Sequence, residues 1–276
     1  MIRKYKVSER RACVLIGQSR TSQRYEFSRD LSKDYFRRKV LEVSLRYNRY
    51  GYRKVASYLE NEGLKRGFEL VRRIRSEEGL QVSKKQKRRS RLWIKPYVGV
   101  RLKPESKNEV WSYDFMSDRT HDRRSFRILN IIDEYTRECL CSYVSRRIKS
   151  EDVIFLLLEL FLTRGMPRYI RSDNGPEFVS KKLVSCLEAL KIKPLFISPG
   201  CPWENGYIES FNGKMGYELL NGEIFYSLKE ARVLIESWRN EYNRIRPHSS
   251  LNGKPPIIPP FPIKNKLIID FRELKM

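Results

Sequence analysis

From Val110 onward the chain switches repeatedly between strand-like and helix-like patterning, and few folds accept that order. Val110 to Phe115, Arg127 to Asp133, Glu138 to Val144, Pro167 to Asp173 and Lys193 to Ile197 are short runs rich in β-branched and aromatic residues, which suit strands. Between them lie helix-length stretches at Ser150 to Thr163, ended by Gly165, and at Ser180 to Leu190. Three strands in succession, then helix, strand, helix, strand and a terminal helical region, predict an α/β fold: a mixed five-stranded sheet with helices on both faces. Ser227 to Asn243 is a further amphipathic helix, with Leu228, Ala231, Leu234, Ile235 and Trp238 on its apolar side. The Pro-rich "GKPPIIPPFP" from Gly253 to Pro262 leaves regular structure.

The preceding residues read differently. Ser8 can cap a helix running to Ile16, Gly17 breaks it, and Ser19 can cap a second through Tyr25. Tyr52 to Glu62 and Phe68 to Glu78 repeat the pairing, with Gly63 and Gly79 as stops and Val55, Ala56, Tyr58, Leu59, Leu70, Val71 and Ile74 as apolar positions. The expectation is an all-α, helix-turn-helix-like N-terminal region that binds DNA; a small bundle with solvated arginines is the alternative. Next, "VSKKQKRRSRLWIK" carries Lys84, Lys85, Lys87, Arg88, Arg89, Arg91 and Lys95 and no acid. Such a run has little to bury and reads as a linker whose cations neutralise phosphates. The resulting organisation is a helical region at 1–80, a basic linker at 81–107, a sheet-forming core at 108–252 and a Pro-rich tail at 253–276.

Charge narrows the partner. Lys and Arg number 57 against 33 Asp and Glu, a formal +24, which favours a polyanion. No segment approaches the ~20 apolar residues of a spanning helix, and Val153 to Leu162 is interrupted by Glu159. The N-terminus is charged from Arg3 onward without a secretory pattern, so a cytoplasmic, nucleoid-associated protein without a membrane partner is expected. Five cysteines form no C-x-x-C pair and only two histidines exist, which argues against a zinc finger or a disulfide framework. Cys139 and Cys141 alternate along a strand-like run as small buried residues.

Three acids stand out by position. In "WSYDF", alternation puts Trp111, Tyr113 and Phe115 on one face of the strand and Ser112 with Asp114 on the other. Asp173 in "RSDNGPEF" ends a strand; it is either a turn cap or a metal ligand. On a helical wheel "WENGYIESFNGKMG" places Ile208, Phe211 and Met215 in an apolar stripe and Asn205, Glu209 and Asn212 on another face. Carboxylates without a His-rich shell suit a hard cation such as Mg2+ or Mn2+. Two such ions about 4 Å apart support in-line phosphoryl displacement. Rival readings remain: Asp133 ends its own strand, Glu177 is a fourth acid or a helix-approach charge, Glu204 complements a helix dipole, His248 is structural or touches DNA, and Trp203 stacks on a base or staples the helix start.

"WSYDF", "ILNIIDEYTRECL", "RSDNGPEF", "SPGCPWENGYIESFNGKM" and "YNRIRPHSSL" occur in that order, with thirty-five residues between Asp173 and Glu209. This arrangement, from about Asn108 to Leu251, resembles the DDE transposases of bacterial insertion sequences, specifically the second-reading-frame product with a retroviral-integrase-like catalytic core. "RYGYRKVASYLENEGL" resembles the helical segment before that core. The resemblance implies a ribonuclease H-like fold and Asp114, Asp173 and Glu209 as catalytic metal ligands. It also implies two ions per active site, cleavage of double-stranded DNA at element ends, and transfer of the 3′-hydroxyl to target DNA. It further implies a homo-oligomer on DNA and an upstream-frame product fused to or associated with the chain. Relatives carry Arg or Lys seven residues past the glutamate, where Gly216 stands here; either DNA gripping is weakened or the helix ends early and Gly216 caps it. Lys214 is counted as a DNA contact with the basic linker, although at about 100° per residue it points roughly 140° away from Glu209. The alternatives are a ribonuclease H-like nuclease without strand transfer and a non-catalytic helix-turn-helix regulator.

Overall fold

The computed structural model describes residues 7–25, 31–82, 102–197 and 202–257. The basic run from Lys84 to Lys95 and the tail beyond Ile257 lie outside the described residues, as does the Trp203 side chain.

Two short helices open the chain, α1 (Glu9–Leu15) and α2 (Arg20–Gln23), and the Ser8 and Ser19 hydroxyls cap them as the sequence predicts. Gly17 turns between them at φ 65°, where a side chain would be strained. A 16-residue helix not singled out by pattern, α3 (Leu31–Arg46), packs against α4 (Tyr52–Asn61) and α5 (Phe68–Glu77). It escaped notice because charges are spread around it, yet Phe36, Val40 and Val43 bury against Val55, Leu59, Val71 and Ile74. Arg75 is buried too, its guanidinium donating to the Tyr50 and Leu80 carbonyls.

The core is a five-stranded sheet of order β3-β2-β1-β4-β5. It comprises β1 (Val110–Arg119), β2 (Ser125–Asp133), β3 (Cys139–Ser145), β4 (Tyr169–Ser172) and β5 (Lys193–Phe196). The first three pair antiparallel, whereas β4 lies parallel to both β1 and β5. This is the ribonuclease H-like arrangement. Helices α6 (Ser150–Arg164) and α7 (Lys181–Ala189) cover one face, burying Val153, Leu157, Phe161, Leu183 and Leu187 against Trp111, Tyr113 and Ile131. Helices α8 (Gly206–Glu218) and α9 (Leu228–Arg244) cover the other, setting Ile208, Phe211, Met215, Ile235 and Trp238 against Ile128 and Ile132. The predicted alternation in "WSYDF" is therefore real: Trp111 and Tyr113 enter the first core, and Asp114 turns toward α8.

The helical region docks on the core through polar contacts. Lys54 and Arg246 both meet the buried Glu218 side chain, at 2.8 and 2.7 Å, and Asn61 donates to the Gly253 carbonyl at 2.9 Å.

Candidate active site

Asp114 sits halfway along β1, opposite Asn130 of β2. Strand β4 pairs with β1 only from Val110 to Ser112, so Asp173, directly after β4, comes out beside the level of Asp114. The third acid, Glu209, is in the first turn of α8 and exposed. Asp114 registers both neighbours. Burial pushes its carboxyl up to about 6; the charges of Asp173 and Glu209 add to that rise, and hydrogen bonds from the Phe115 N–H and Asn212 oppose it.

Each aspartate is held by neutral donors. The Phe115 N–H donates to Asp114 Oδ1 at 2.8 Å, and Asn212 Nδ2 to Asp114 Oδ2 at 2.8 Å. The Gly175 N–H donates to Asp173 Oδ1 at 2.9 Å, so the turn-cap reading of Asp173 is correct. A carboxylate oxygen with one donor retains a second lone pair, and the turn cap leaves ligation open. No three His, Cys, Asp or Glu side chains among the described residues are arranged, as they stand, to hold a metal ion. The donor set is nonetheless one of hard carboxylate oxygens, which fits Mg2+ or Mn2+.

Asn212 has a part that the sequence reading did not assign. Its Oδ1 accepts from Asn130 Nδ2 at 2.8 Å, and Asn130 Oδ1 accepts from the Ser142 hydroxyl at 2.8 Å. A directed chain, Ser142 to Asn130 to Asn212 to Asp114, thus crosses from β3 to β1 beneath α8. Both asparagines are buried. The signal was present in "RILNIID", where one amide interrupts an apolar run.

The rivals resolve into structure. Asp133 is fully buried and accepts the N–H groups of Asn108, Tyr135 and Thr136 at 2.8 to 2.9 Å. Glu134, read as part of an ordinary turn, is instead a buried ion-pair partner: Arg171 Nη1 reaches its two oxygens at 2.6 and 2.7 Å, and the Ser112 hydroxyl donates to it. Glu177 pairs with Arg127, and that hydrogen bond holds its carboxyl below the usual range. His248 is buried, edge-on to Tyr242, and desolvation lowers it to about 3, so it stays neutral. Cys139 is buried and Cys141 half-buried, with burial raising both thiols to about 12.

Helix α8 runs through Gly216 to Glu218, so Gly216 is interior and does not cap. A Cβ there would meet only Met116 Cε, at 3.7 Å. Lys214 is half-buried, and burial together with Arg246 lowers its ammonium to about 8. Lys84, Lys85, Lys87, Arg88, Arg89 and Arg91 lie outside the described residues.

Comparison with known proteins gives this geometry a family. The integrase core domain matches residues 104–202 and again 190–256. The "insertion element IS407 uncharacterized 31.7 kDa protein" of Burkholderia multivorans is 35% identical over 249 residues, covering 90% of this chain and 89% of that one. The chain belongs to the bacterial insertion-sequence transposases with an integrase core. Such a transposase is a DNA-acting polynucleotidyl transferase. An insertion element IS476 protein of Xanthomonas euvesicatoria is 37% identical over 253 residues, 91% of this transposase and 71% of that protein. Transposase InsF for insertion sequence IS3A of Escherichia coli is 26% identical over 152 residues, 54% of this chain and 52% of that one. Among solved structures, the magnesium-bound HTLV-2 integrase catalytic core domain in its trimeric form shows a TM-score of 0.42 at 19% identity, over 54% of this chain and 93% of that chain.

Proposed function

We propose that Asp114, Asp173 and Glu209 form the catalytic centre of this transposase and that it both cuts DNA at element ends and joins the exposed end to a target. One observation carries the reading: the charges of Asp173 and Glu209 both act on Asp114, and among the described residues none of the three carboxylates makes an ion pair. Carboxylates gathered without a counter-charge are costly unless something positive binds.

These three residues would hold divalent cations, two by the chemistry of the reaction, which supply Lewis-acid stabilisation to the phosphoryl oxygens when bound. Asn212 fixes the rotamer of Asp114 through Oδ2, and the Gly175 N–H fixes Asp173 through Oδ1. Asp114 must be ionised to ligate, so protons and divalent cations would compete for it. Glu209, exposed at the start of α8, would complete the carboxylate set that holds the cations against the phosphodiester. In hydrolysis the oxygen of water bonds to phosphorus as the P–O3′ bond breaks, leaving a 5′-phosphate on one strand end and a 3′-hydroxyl, protonated at the expense of the water, at the element end. That hydroxyl attacks a target phosphodiester, forming a new P–O bond as the old 3′-oxygen leaves with the proton. The basic linker residues Lys84, Lys85, Lys87, Arg88, Arg89 and Arg91, and Lys214 on α8, would neutralise phosphates on the duplex. Assembly as a homo-oligomer on DNA, and association with an upstream-frame product, belong to the same reading.

The deciding assay supplies a pre-cut duplex with a recessed 3′-hydroxyl, an unlabelled target plasmid and Mg2+ or Mn2+. Joined product that disappears in Glu209→Gln supports the transposase reading. Nicks without joined product favour the nuclease alternative, and duplex binding without either favours a regulator.

A further inference from the structure

The tip of the β1–β2 hairpin carries a cationic surface that the proposed chemistry does not use. β4 leaves β1 at Ser112, whereas β1–β2 pairing continues to Arg119 opposite Ser125. The hairpin therefore projects five residues past Asp114, about 17 Å at roughly 3.4 Å per residue. Arg119, Arg123 and Arg124 sit at the tip, all exposed. Arg146 donates to the Arg124 carbonyl at 2.6 Å and to that of Ser125 at 3.2 Å, which ties the segment after β3, with exposed Arg147, to the same end of the sheet.

Two acids lie there, and both are engaged locally. Asp118 accepts the Arg119 N–H at 2.7 Å, and Asp122 accepts the Thr120 hydroxyl and the Arg124 N–H. Among the described residues the guanidinium groups of Arg119, Arg123, Arg124 and Arg147 make no hydrogen bond or ion pair. Some arginines of the helical region are paired, Arg24 with Glu9, Arg37 with Glu77 and Glu78, and Arg72 with Glu69, while exposed Arg10, Arg11 and Arg38 make no ion pair among the described residues.

The tip is also braced. Thr120 bridges to Phe225, the His121 N–H donates to the Phe225 carbonyl at 2.7 Å, and the His121 ring stacks on Tyr226 at 5.1 Å. Arg123 occupies the left-handed region at φ 63°, where glycine or asparagine would sit with less strain. Exposed cationic residues on a braced tip are suited to an anionic partner.

We propose that this arginine tip clamps the backbone of duplex DNA on one side of the bond being cut. At a rise of about 3.4 Å per base-pair step, 17 Å places the clamp about five steps from the phosphodiester at Asp114. The position rests on the carboxylate site being where cutting occurs; the binding does not.

The test compares the full chain with the triple variant R123Q/R124Q/R147Q, using an arbitrary-sequence 30-base-pair fluorescent duplex over a range of NaCl concentrations. A charge-matched control, K181Q/K191Q/K193Q, removes three exposed lysines from α7, β5 and the turn between them. The tip variant should bind ten- to a hundredfold more weakly, with a salt slope shallower by about two to three, at roughly 0.9 per lost phosphate contact. The control should change little. Asp114→Asn should bind as the wild type while failing to nick, which keeps the two readings apart. In Mn2+ the wild type should place few nicks within about five base pairs of one duplex end, and the tip variant should lose that asymmetry. Equal slopes for the tip variant and the wild type, or equal losses in tip variant and control, overturn the clamp. An unchanged nick distribution overturns its position.

Discussion

Two pairs of acids share the central strands of this transposase, and they differ in what surrounds them. Asp133 and Glu134 are buried completely, yet one accepts three backbone N–H groups and the other meets Arg171 and Ser112. Asp114 and Asp173 are only partly buried, are held by neutral donors, and face a further carboxylate, Glu209. The satisfied pair closes the sheet. The second pair carries negative charge that no ion pair among the described residues neutralises, and partner type separates the two roles better than burial does.

The widest separation should come from activity. Asp114→Asn, Asp173→Asn and Glu209→Gln should each lower Mg2+-dependent nicking at least about a thousandfold, the effect of losing several kcal/mol of transition-state stabilisation. A plasmid-nicking time course measures this, and near-wild-type rates in any of the three would remove that residue from the site.

Stability should move in opposite directions for the two pairs. Glu134→Gln strands the buried Arg171 charge and should cost about 3–5 kcal/mol in urea unfolding. Asp114 has a folded pKa above its unfolded value. Its stabilising contribution is thus complete below about 4 and is lost as the pH rises through about 6. Asp114→Asn should then stabilise the protein at pH 7, by up to about 3 kcal/mol, and leave it unchanged at pH 3. If both variants destabilise equally, the contrast fails.

The amide chain behind Asp114 gives a finer test. Asn130→Leu frees the Asn212 amide to flip and strands a buried polar group, at a cost of about 1–3 kcal/mol. The Mg2+ concentration for half-maximal nicking should rise about tenfold, whereas a purely structural role would lower stability without moving it.

Lys214 makes a pH prediction. Its folded pKa of about 8 lies below the ordinary lysine value, so its contribution to stability is present at high pH and is lost as the pH falls through 8. Lys214→Met should therefore stabilise the free protein at pH 7 by about 1–2 kcal/mol. It should also abolish any weakening of duplex binding between pH 8 and 10. A wild-type binding curve that is flat over that range removes Lys214 from the DNA surface.

The smallest effect concerns Gly216. Its surroundings admit a Cβ, so Gly216→Ala should stabilise α8 by about 0.5–1 kcal/mol in thermal melts. Gly216→Arg should steepen the salt dependence of duplex binding by about one phosphate contact. A loss of stability on Gly216→Ala would show that the close approach of Met116 matters more than helix propensity.

Legibility followed the reach of each interaction. Strands, caps and glycine stops depend on residues a few positions apart, and Ser8, Ser19, Gly17 and the "WSYDF" alternation were readable for that reason. Helix α3 was not singled out, because its stripe of Phe36, Val40 and Val43 is diluted by charge until α4 and α5 are placed against it. Glu134 read as a turn residue because its partner lies thirty-seven residues away on another strand.

By itself the sequence determined the order of strands and helices, the basic character and the three acids worth watching, since periodicity, composition and family motifs are all carried along the chain. Tertiary structure decided which acids are neutralised by cations or backbone N–H groups, which face one another, and which amide holds Asp114. Charge compensation acts through a few ångströms of space, and only folding brings Ser142, Asn130, Asn212 and Asp114 within that range.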